Sequence, residues 1–497
     1  MKLQTLSTVT MALFLTACGG GGATVIPTPS DTPVAINQNP VIATTNSDQV
    51  AKVGDAFEYD ATQAGSTFSD PDGDALTYTI SYTPSANGLT DDGEVISGTP
   101  AEAITMTVTI TADDGNGGTV SDRFDIVVDV AATDQNGVMA QFSGRIDLDN
   151  LENYANQTVP SYITKLNDGG NPITDAGATL GRVLFYDTAL SIDDTVSCSS
   201  CHMQNTGFSD RDVISSGVED GVTGRHSMRL INTQFATETR FFWDERASSH
   251  ELQETQPLQD ENEHGFSGVG GRPGLSDLIT KLEALEYYEE LFTFVYGDAT
   301  ITEERLQIAL AQFTKAIWSF DSRFDAGLAQ TNNLAANFPN FTADENAGKR
   351  LFLQPPNNGG GGCQGCHVAP EFDIRPGSGH NGVVGVAGSP DAFDFTNTRS
   401  PSLRDLTDPD GNPNGPMMHD GSLPTLLDVV NHYNAIDVPT DADARQQFLA
   451  TIDNRLRRGG NGQNLNFSEA QKAQLVAFLN TLSGATLYTD EKFSDPF

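Results

Sequence analysis

The chain has 497 residues, with 27 Lys+Arg against 67 Asp+Glu and a formal net charge of −40. That length exceeds one ordinary domain and sets a soft expectation of about three. So acidic a chain repels nucleic acid and anionic lipid; it suits basic or neutral partners, or a salt-adapted solvated surface.

The N-terminus reads as an export signal. Met1-Lys2 leads into a short apolar run with Met11, Ala12, Leu13 and Phe14, then Leu15-Thr16-Ala17-Cys18 and four glycines. A charged start, a short apolar core and small residues at the cut describe a secretory signal over residues 1–17. The run is too short for a permanent membrane span. Leu15-Thr16-Ala17-Cys18 resembles the bacterial lipobox, which implies a diacylglyceryl group on Cys18; a plain signal with an incidental cysteine is the alternative. Gly19 stands where an Asp would retain the protein at the inner membrane, so the resemblance implies a lipid anchor in the outer membrane, at the periplasmic or cell-surface side. Residues 18–37 are Gly, Pro, Thr and Ser with few apolar groups, and predict a flexible linker.

Residues 38–131 predict a small β-sandwich. Val108, Ile110 and Ala112 alternate with Thr107, Thr109 and Thr111, and Phe124, Ile126 and Val128 alternate with Asp125 and Val127. The run from Phe68 to Tyr78, with Ser97-Gly98-Thr99-Pro100 and Asp113-Asp114-Gly115-Asn116-Gly117-Gly118, resembles dystroglycan-type cadherin-like modules. Asp70, Asp72 and Asp74 are hard oxygen donors of the kind calcium takes. They serve equally well as tight-turn residues.

From about residue 142 the pattern turns helical, with helices expected near 175–186, 274–296, 302–320, 343–353, 423–433, 441–456 and 468–482. Thr342 with Glu345, and Ser468 with Gln471, read as capping boxes. Leu306, Ile308, Ala309, Leu310, Phe313 and Ile317 fall on one helical stripe. An internal repeat is visible: Leu180-Gly181-Arg182-Val183-Leu184-Phe185 stands before one C-x-x-C-H motif, and Ala347-Gly348-Lys349-Arg350-Leu351-Phe352 before the other. The fold expected is therefore multidomain: a cadherin/Ig-like sandwich, then two mainly α-helical, class I cytochrome c-like haem domains over 142–330 and 341–490. Their boundary is placed near 325–340, where Gln330-Thr331-Asn332-Asn333 reads as a linker.

Of five cysteines, four form Cys198-Ser199-Ser200-Cys201-His202 and Cys363-Gln364-Gly365-Cys366-His367. In an exported protein the C-x-x-C-H motif reads as a c-type haem site, with two thiols adding to vinyl groups and His202 or His367 left to bind iron. A redox dithiol or half of a zinc site is the competing reading of a single copy.

These residues, with Phe242-Trp243-Asp244-Glu245-Arg246-Ala247, Pro257 to Glu263, Arg399-Ser400-Pro401-Ser402-Leu403-Arg404 and Gly415 to Ser422, resemble the bacterial diheme cytochrome c peroxidases and their MauG-like relatives. The resemblance covers residues ~145–490. It implies two covalent haem c groups, Glu263 as the acid at the N-terminal, peroxide-binding haem, Gln253 as the amide beside it, and Trp243 as a relay between the haems. Without it, Glu263 is a solvated acid beside Asp260 and Glu261, and Trp243 is core. An inter-haem calcium is also implied, held by carbonyls best matched by Asn414 and Pro416. Two departures stand out. The loop Val213 to Gly224 lacks the distal His of peroxidases that need reductive activation, and His226 replaces an Asn of the calcium site; it is read as a replacement ligand, a calcium neighbour or a surface residue. Tyr433 falls where the peroxidases place a Met ligand, as in MauG-like enzymes; packing in an amphipathic helix is the alternative. The implied partners are hydrogen peroxide and either a small cytochrome c donor or an oxidisable partner. Competing readings are a surface diheme electron carrier without peroxide chemistry, and an adhesion protein built on the cadherin-like module.

Overall fold

The computed structural model describes residues 36–129 and 136–497; the expected signal, Cys18 and nearly all of the expected linker lie outside the described residues. The protein divides into two compact units, Met1–Ala132 and Thr133–Phe497. Among the described residues no helix is long and apolar enough to cross a membrane.

Among the described residues the first unit is all β. Its strands are β1 (Val41–Ile42), β2 (Gln49–Lys52), β3 (Phe57–Asp60), β4 (Phe68–Ser69), β5 (Thr77–Thr83), β6 (Leu89–Asp91), β7 (Val95–Gly98), β8 (Ile104–Asp113) and β9 (Thr119–Asp129). One sheet has the order β2-β9-β8-β5, with β2 parallel to β9; another has the order β3-β7-β6. The period-2 pattern decides which faces meet: Met106, Val108, Ile110 and Ala112 on β8 and Phe124, Ile126 and Val128 on β9 are all buried in one core, while the threonines between them face outward. Asp70, Asp72 and Asp74 bring carboxylate oxygens within 4.8 Å of one another. Each also has turn work. Asp70 accepts the amides of Asp72 (2.8 Å) and Asp74 (3.2 Å), Asp72 accepts from Gln38, and Asp74 accepts from Asn116.

The second unit is helical: α1 (Asn136–Phe142), α2 (Asp175–Tyr186), α3 (Cys198–Cys201), α4 (His250–Glu254), α5 (Leu275–Glu283), α6 (Glu286–Tyr296), α7 (Glu303–Ala316), α8 (Arg323–Thr331), α9 (Ala343–Leu353), α10 (Leu426–Asn434), α11 (Ala442–Thr451) and α12 (Glu469–Leu479). Two large hydrophobic clusters divide them. One joins α2, α6 and α7 through Leu180, Val183, Leu184, Leu291, Leu310 and Phe313. The other joins α8, α9 and α12 through Phe324, Phe352, Phe372 and Phe478. Each fully buried Leu or Phe of this kind stabilises by about 1.5–3 kcal/mol.

The internal repeat has a packing reason. Helix α2 crosses α7 and α9 crosses α12, and the repeat glycine sits at each crossing. A Cβ on Gly181 would lie 2.1 Å from the Ala309 carbonyl oxygen, and one on Gly348 would lie 1.8 Å from that of Gln474. Only glycine allows the two backbones so close.

Several expectations are corrected. The helix expected over 274–296 is two, because Leu285 is extended and restarts the backbone as α6. The helix expected over 302–320 stops at Ala316: Ile317 is extended, and the Asn232 side chain takes both Ser319 N–H and Ser319 O. The linker read at Gln330-Thr331-Asn332-Asn333 is instead the end of α8 and its left-handed C-cap Asn332. That helix is nucleated by a Ser322/Asp325 capping box and pinned by Arg404, which is fully buried and grips both Asp325 oxygens at 2.8 and 2.9 Å. Removing one partner of such a pair costs about 3–5 kcal/mol. The helices expected over 423–433 and 441–456 are the shorter α10 and α11, the latter followed by a single 3₁₀ turn, Asn454–Leu456.

Candidate active site

Two cavities lie in the helical unit, of about 480 and 710 Å³, within the span of cofactor pockets. The smaller is lined by Cys198, Cys201 and His202, the larger by Cys363, Cys366 and His367. Helix α3 is a single turn, started by Ser197 N–H donating to Ser200 Oγ (3.1 Å) and closed by His202 N–H on Cys198 O (2.9 Å). One turn sets the two thiols on the same face and turns the histidine out of the helix. His202 Nδ1 donates to Phe208 O at 3.2 Å, which fixes the tautomer and leaves Nε2 as the lone-pair nitrogen. Cys363 and Cys366 repeat this on a 3₁₀ turn, and His367 opens a short hairpin, His367–Val368 with Asp373–Ile374. His367 Nδ1 is buried without a hydrogen-bond partner.

All four thiols are free. Burial pushes Cys201 and Cys366 up to about 11 and Cys363 up to about 12, and Cys198 higher still. Reactive dithiols and zinc ligands need a thiolate stabilised by its surroundings. These thiols have the opposite environment, which counts against a reactive dithiol. His202 and His367 are pushed down by burial, His367 to about 4, so both imidazoles are neutral donors. Paired thiols, a neutral histidine and a roomy cavity, largely apolar in the larger site and mixed in the smaller, fit covalent haem at each position.

The smaller cavity also holds Gln253 and Glu263. Burial, then the neighbouring Asp260, push the Glu263 carboxyl up to about 7, with Arg246 acting in the opposite sense. Glu261 points away: it is exposed and faces Arg272 at 3.8 Å. Glu263, half-buried, thus lines the cavity together with Asp260 of the same acidic loop, while Glu261 stays outside it.

The two cavities share a wall that includes His226, Arg229, Trp243 and Arg399. Trp243 is half-buried there and anchored by backbone groups: its Nε1–H donates to His226 O (2.7 Å), and its carbonyl accepts from Thr398 and Arg399 N–H (2.9 and 3.0 Å). Its indole meets the His419 ring edge-on at 6.1 Å. The surface reading of His226 is overturned: it is buried, with Nδ1 on Asp212 O (2.9 Å) and Nε2 3.5 Å from Ser209 Oγ. Asn414 uses its side-chain amide on Asp405 O and the Tyr488 hydroxyl (2.8 and 2.7 Å), and Pro416 lines the larger cavity.

A family model for the di-haem cytochrome c peroxidases matches residues 175–333, and an Ig-domain model matches residues 39–129. The helical unit is thus similar to the di-haem cytochrome c peroxidases. Methylamine utilization protein MauG of Methylophilus methylotrophus is 28% identical over 323 residues, 64% of this chain and 85% of that protein. The cytochrome c551 peroxidase of Nitrosomonas europaea is 25% identical over 62% of this chain and 80% of its own length. The crystal structure of a MauG-like protein associated with microbial copper homeostasis aligns with a TM-score of 0.54 at 25% identity, covering 69% of this chain and 99% of that one. The family is di-haem and its members are oxidoreductases, so two haem c groups are the cofactors implied for this MauG-like enzyme.

In this peroxidase-family frame the larger cavity holds Tyr433, whose hydroxyl accepts from Asn381 Nδ2 at 3.3 Å. Its neighbour His432 turns elsewhere, onto Asn381 O at 3.0 Å. Sequence reasoning missed Met418: it lines the same cavity, and its sulfur also accepts from Asn381 Nδ2, at 3.0 Å. The clue was available, because Met418 sits within the quoted Gly415 to Ser422 motif. It missed the buried pair on α4 as well, where His250 Nε2 lies 3.1 Å from Glu254 Oε1 and Thr314 Oγ1 donates to the same oxygen at 2.8 Å. Spacing i,i+4 on one helix was the available signal.

Proposed function

We propose that the enzyme reduces hydrogen peroxide at the cavity of Cys198, Cys201 and His202, with electrons entering by way of the second cavity from a small cytochrome or an oxidisable partner. The observation that carries this reading is Glu263, a carboxyl with its pKa near neutrality facing the same cavity as a haem-attachment motif. Haem bound there would supply the iron that delivers electrons to the O–O bond. The balance is one peroxide, two electrons and two protons giving two waters. Glu263 takes a proton from one peroxide oxygen and returns it to the other, which a group with pKa near the working pH does best. Gln253 offers an amide to orient the peroxide. Trp243, fixed by three backbone hydrogen bonds in the shared wall, lies on the route between the cavities. Tyr433 as an iron ligand favours MauG-like oxidation over ordinary peroxidase turnover, since a hard phenolate stabilises oxidised iron whereas Met ligation raises the potential. Export, lipidation on Cys18 and a place in the cell envelope belong to the same proposal.

Stopped-flow mixing of peroxide with the resting diferric protein, and with protein reduced by one electron, tests it. A fast spectral reaction in the diferric state supports the MauG-like form; reaction only after reduction supports the peroxidase form. A protein with two low-spin ferric haems that ignores peroxide in both states is an electron carrier, and the proposal fails.

A further inference from the structure

Among the described residues, Arg229 is the one buried charge in the shared wall whose partners are incomplete. It is 9 % exposed and lines both cavities. Its guanidinium makes a single long hydrogen bond, Nη2 to Ser402 O at 3.3 Å, and Nε–H is buried with no partner. The acid that acts on it most is Asp405, which already accepts Gly484 N–H at 2.8 Å and the Tyr488 hydroxyl at 3.2 Å and forms no ion pair with it. Burial pushes the guanidinium down to about 10, so it remains a cation at neutral pH. The other buried arginines are better served. Arg404 has both oxygens of Asp325 and the Pro370 carbonyl. Arg399, also in the shared wall, holds the Arg240 carbonyl and stacks on Phe241 at 4.6 Å.

A buried cation without a counter-ion is strongly unfavourable, and such positions persist where an anion completes them. The cavities that Arg229 faces are those read above as haem sites, and each haem carries two propionate carboxylates. A planar guanidinium with a free N–H matches a carboxylate bidentately. We infer that Arg229 binds a haem propionate from the wall between the two sites and thereby sets the ferric/ferrous equilibrium of the pair. The inference rests on the two-haem reading. Losing the positive charge leaves a buried carboxylate uncompensated, and the added negative potential favours the ferric state.

The test is spectroelectrochemical titration of the full two-haem protein as wild type, R229Q and R229K, with resonance Raman of the propionate bending bands. R229Q is expected to shift at least one haem toward ferric by on the order of tenfold, which is about 59 mV for one electron. R229K keeps the charge and is expected to stay within about threefold, while both variants move the propionate bands because the bidentate fork is gone. R229Q within twofold of wild type at both haems, with unmoved bands, overturns the inference. If R229Q does not accumulate, R229K decides alone: unmoved bands overturn it. A wild-type haem count below two per protein molecule brings down the two-haem reading instead, so the two failures are distinguishable.

Discussion

Replacing Glu263 by Gln keeps the shape of the side chain and removes its proton chemistry. With a pKa of about 7, the wild-type carboxyl is about half ionised at pH 7 and ~1 % ionised at pH 5. If the ionised form is the base that accepts the peroxide proton, kcat/KM rises about tenfold per pH unit up to pH ~6 and levels off above 7. Glu263→Gln should flatten that limb and lower kcat/KM at pH 7 by on the order of 10²–10⁴-fold, the usual contribution of a general acid–base group. The causes of the pKa give a second, finer perturbation. Asp260 is the larger of the two charge effects and raises the pKa, whereas Arg246 lowers it. Asp260→Asn should therefore move the activity limb toward acid, and Arg246→Gln should move it toward alkaline pH. The assay is steady-state peroxide consumption by the two-haem protein, from pH 5 to 8, with a chemical reductant. A Glu263→Gln variant within twofold of wild type, or one that keeps the same limb, would refute the assignment.

Other perturbations test the frame around that site. A pyridine haemochrome assay on denatured protein should return two covalently retained haems per molecule, and Cys363→Ser with Cys366→Ser should return one. Gly348→Ala forces a methyl to within 1.8 Å of the Gln474 carbonyl oxygen and should cost about 3 kcal/mol or more in denaturant unfolding. Gly224→Ala, which meets nothing within 4 Å, should stay within about 0.5 kcal/mol. Tyr433→Phe should convert the larger-cavity haem from low to high spin in the ferric spectrum; if that spectrum is unchanged, Met418 becomes the ligand to test.

What the sequence shows clearly is what local periodicity controls. The alternation of β8 and β9 was legible because each strand buries one face. Helices α2, α9 and α12 were legible because periodicity, or a capping box, marked their starts. The misses are decided by distant partners. The end of α7 depends on Asn232, some 85 residues earlier in the sequence, taking the backbone of Ser319. Helix α8 hides in polar sequence because its anchor, Arg404, lies far downstream. The break between α5 and α6 interrupts an apolar pattern that continues across it. At the site, the attachment motifs are contiguous and announce themselves. The placing of half-buried Glu263 at a cavity, the burial of His226 and the sharing of one wall by two cavities are tertiary facts.

That shared wall gives the internal repeat its chemical point. Two copies of a helix, a crossing glycine and a thiol–thiol–histidine turn produce two similar pockets, and similar pockets alone specify no direction of electron flow. The asymmetry comes from what each pocket adds. The smaller adds an acid poised near neutrality, which suits making and breaking O–H bonds. The larger adds a buried phenol and a thioether held by one amide, Asn381, which suits tuning an iron without proton traffic. Burial pushes the Tyr433 phenol up, opposed by that same amide, so Asn381 bears on both candidate ligands at once. Trp243 belongs to neither pocket alone: backbone groups on two segments, His226 and Thr398–Arg399, fix it where the pockets meet. In the proposed function, an indole held this way would reorganise little as an electron passes. In the function proposed above, divergence of the pocket additions on a shared repeat geometry is what makes one haem site the donor side and the other the peroxide side.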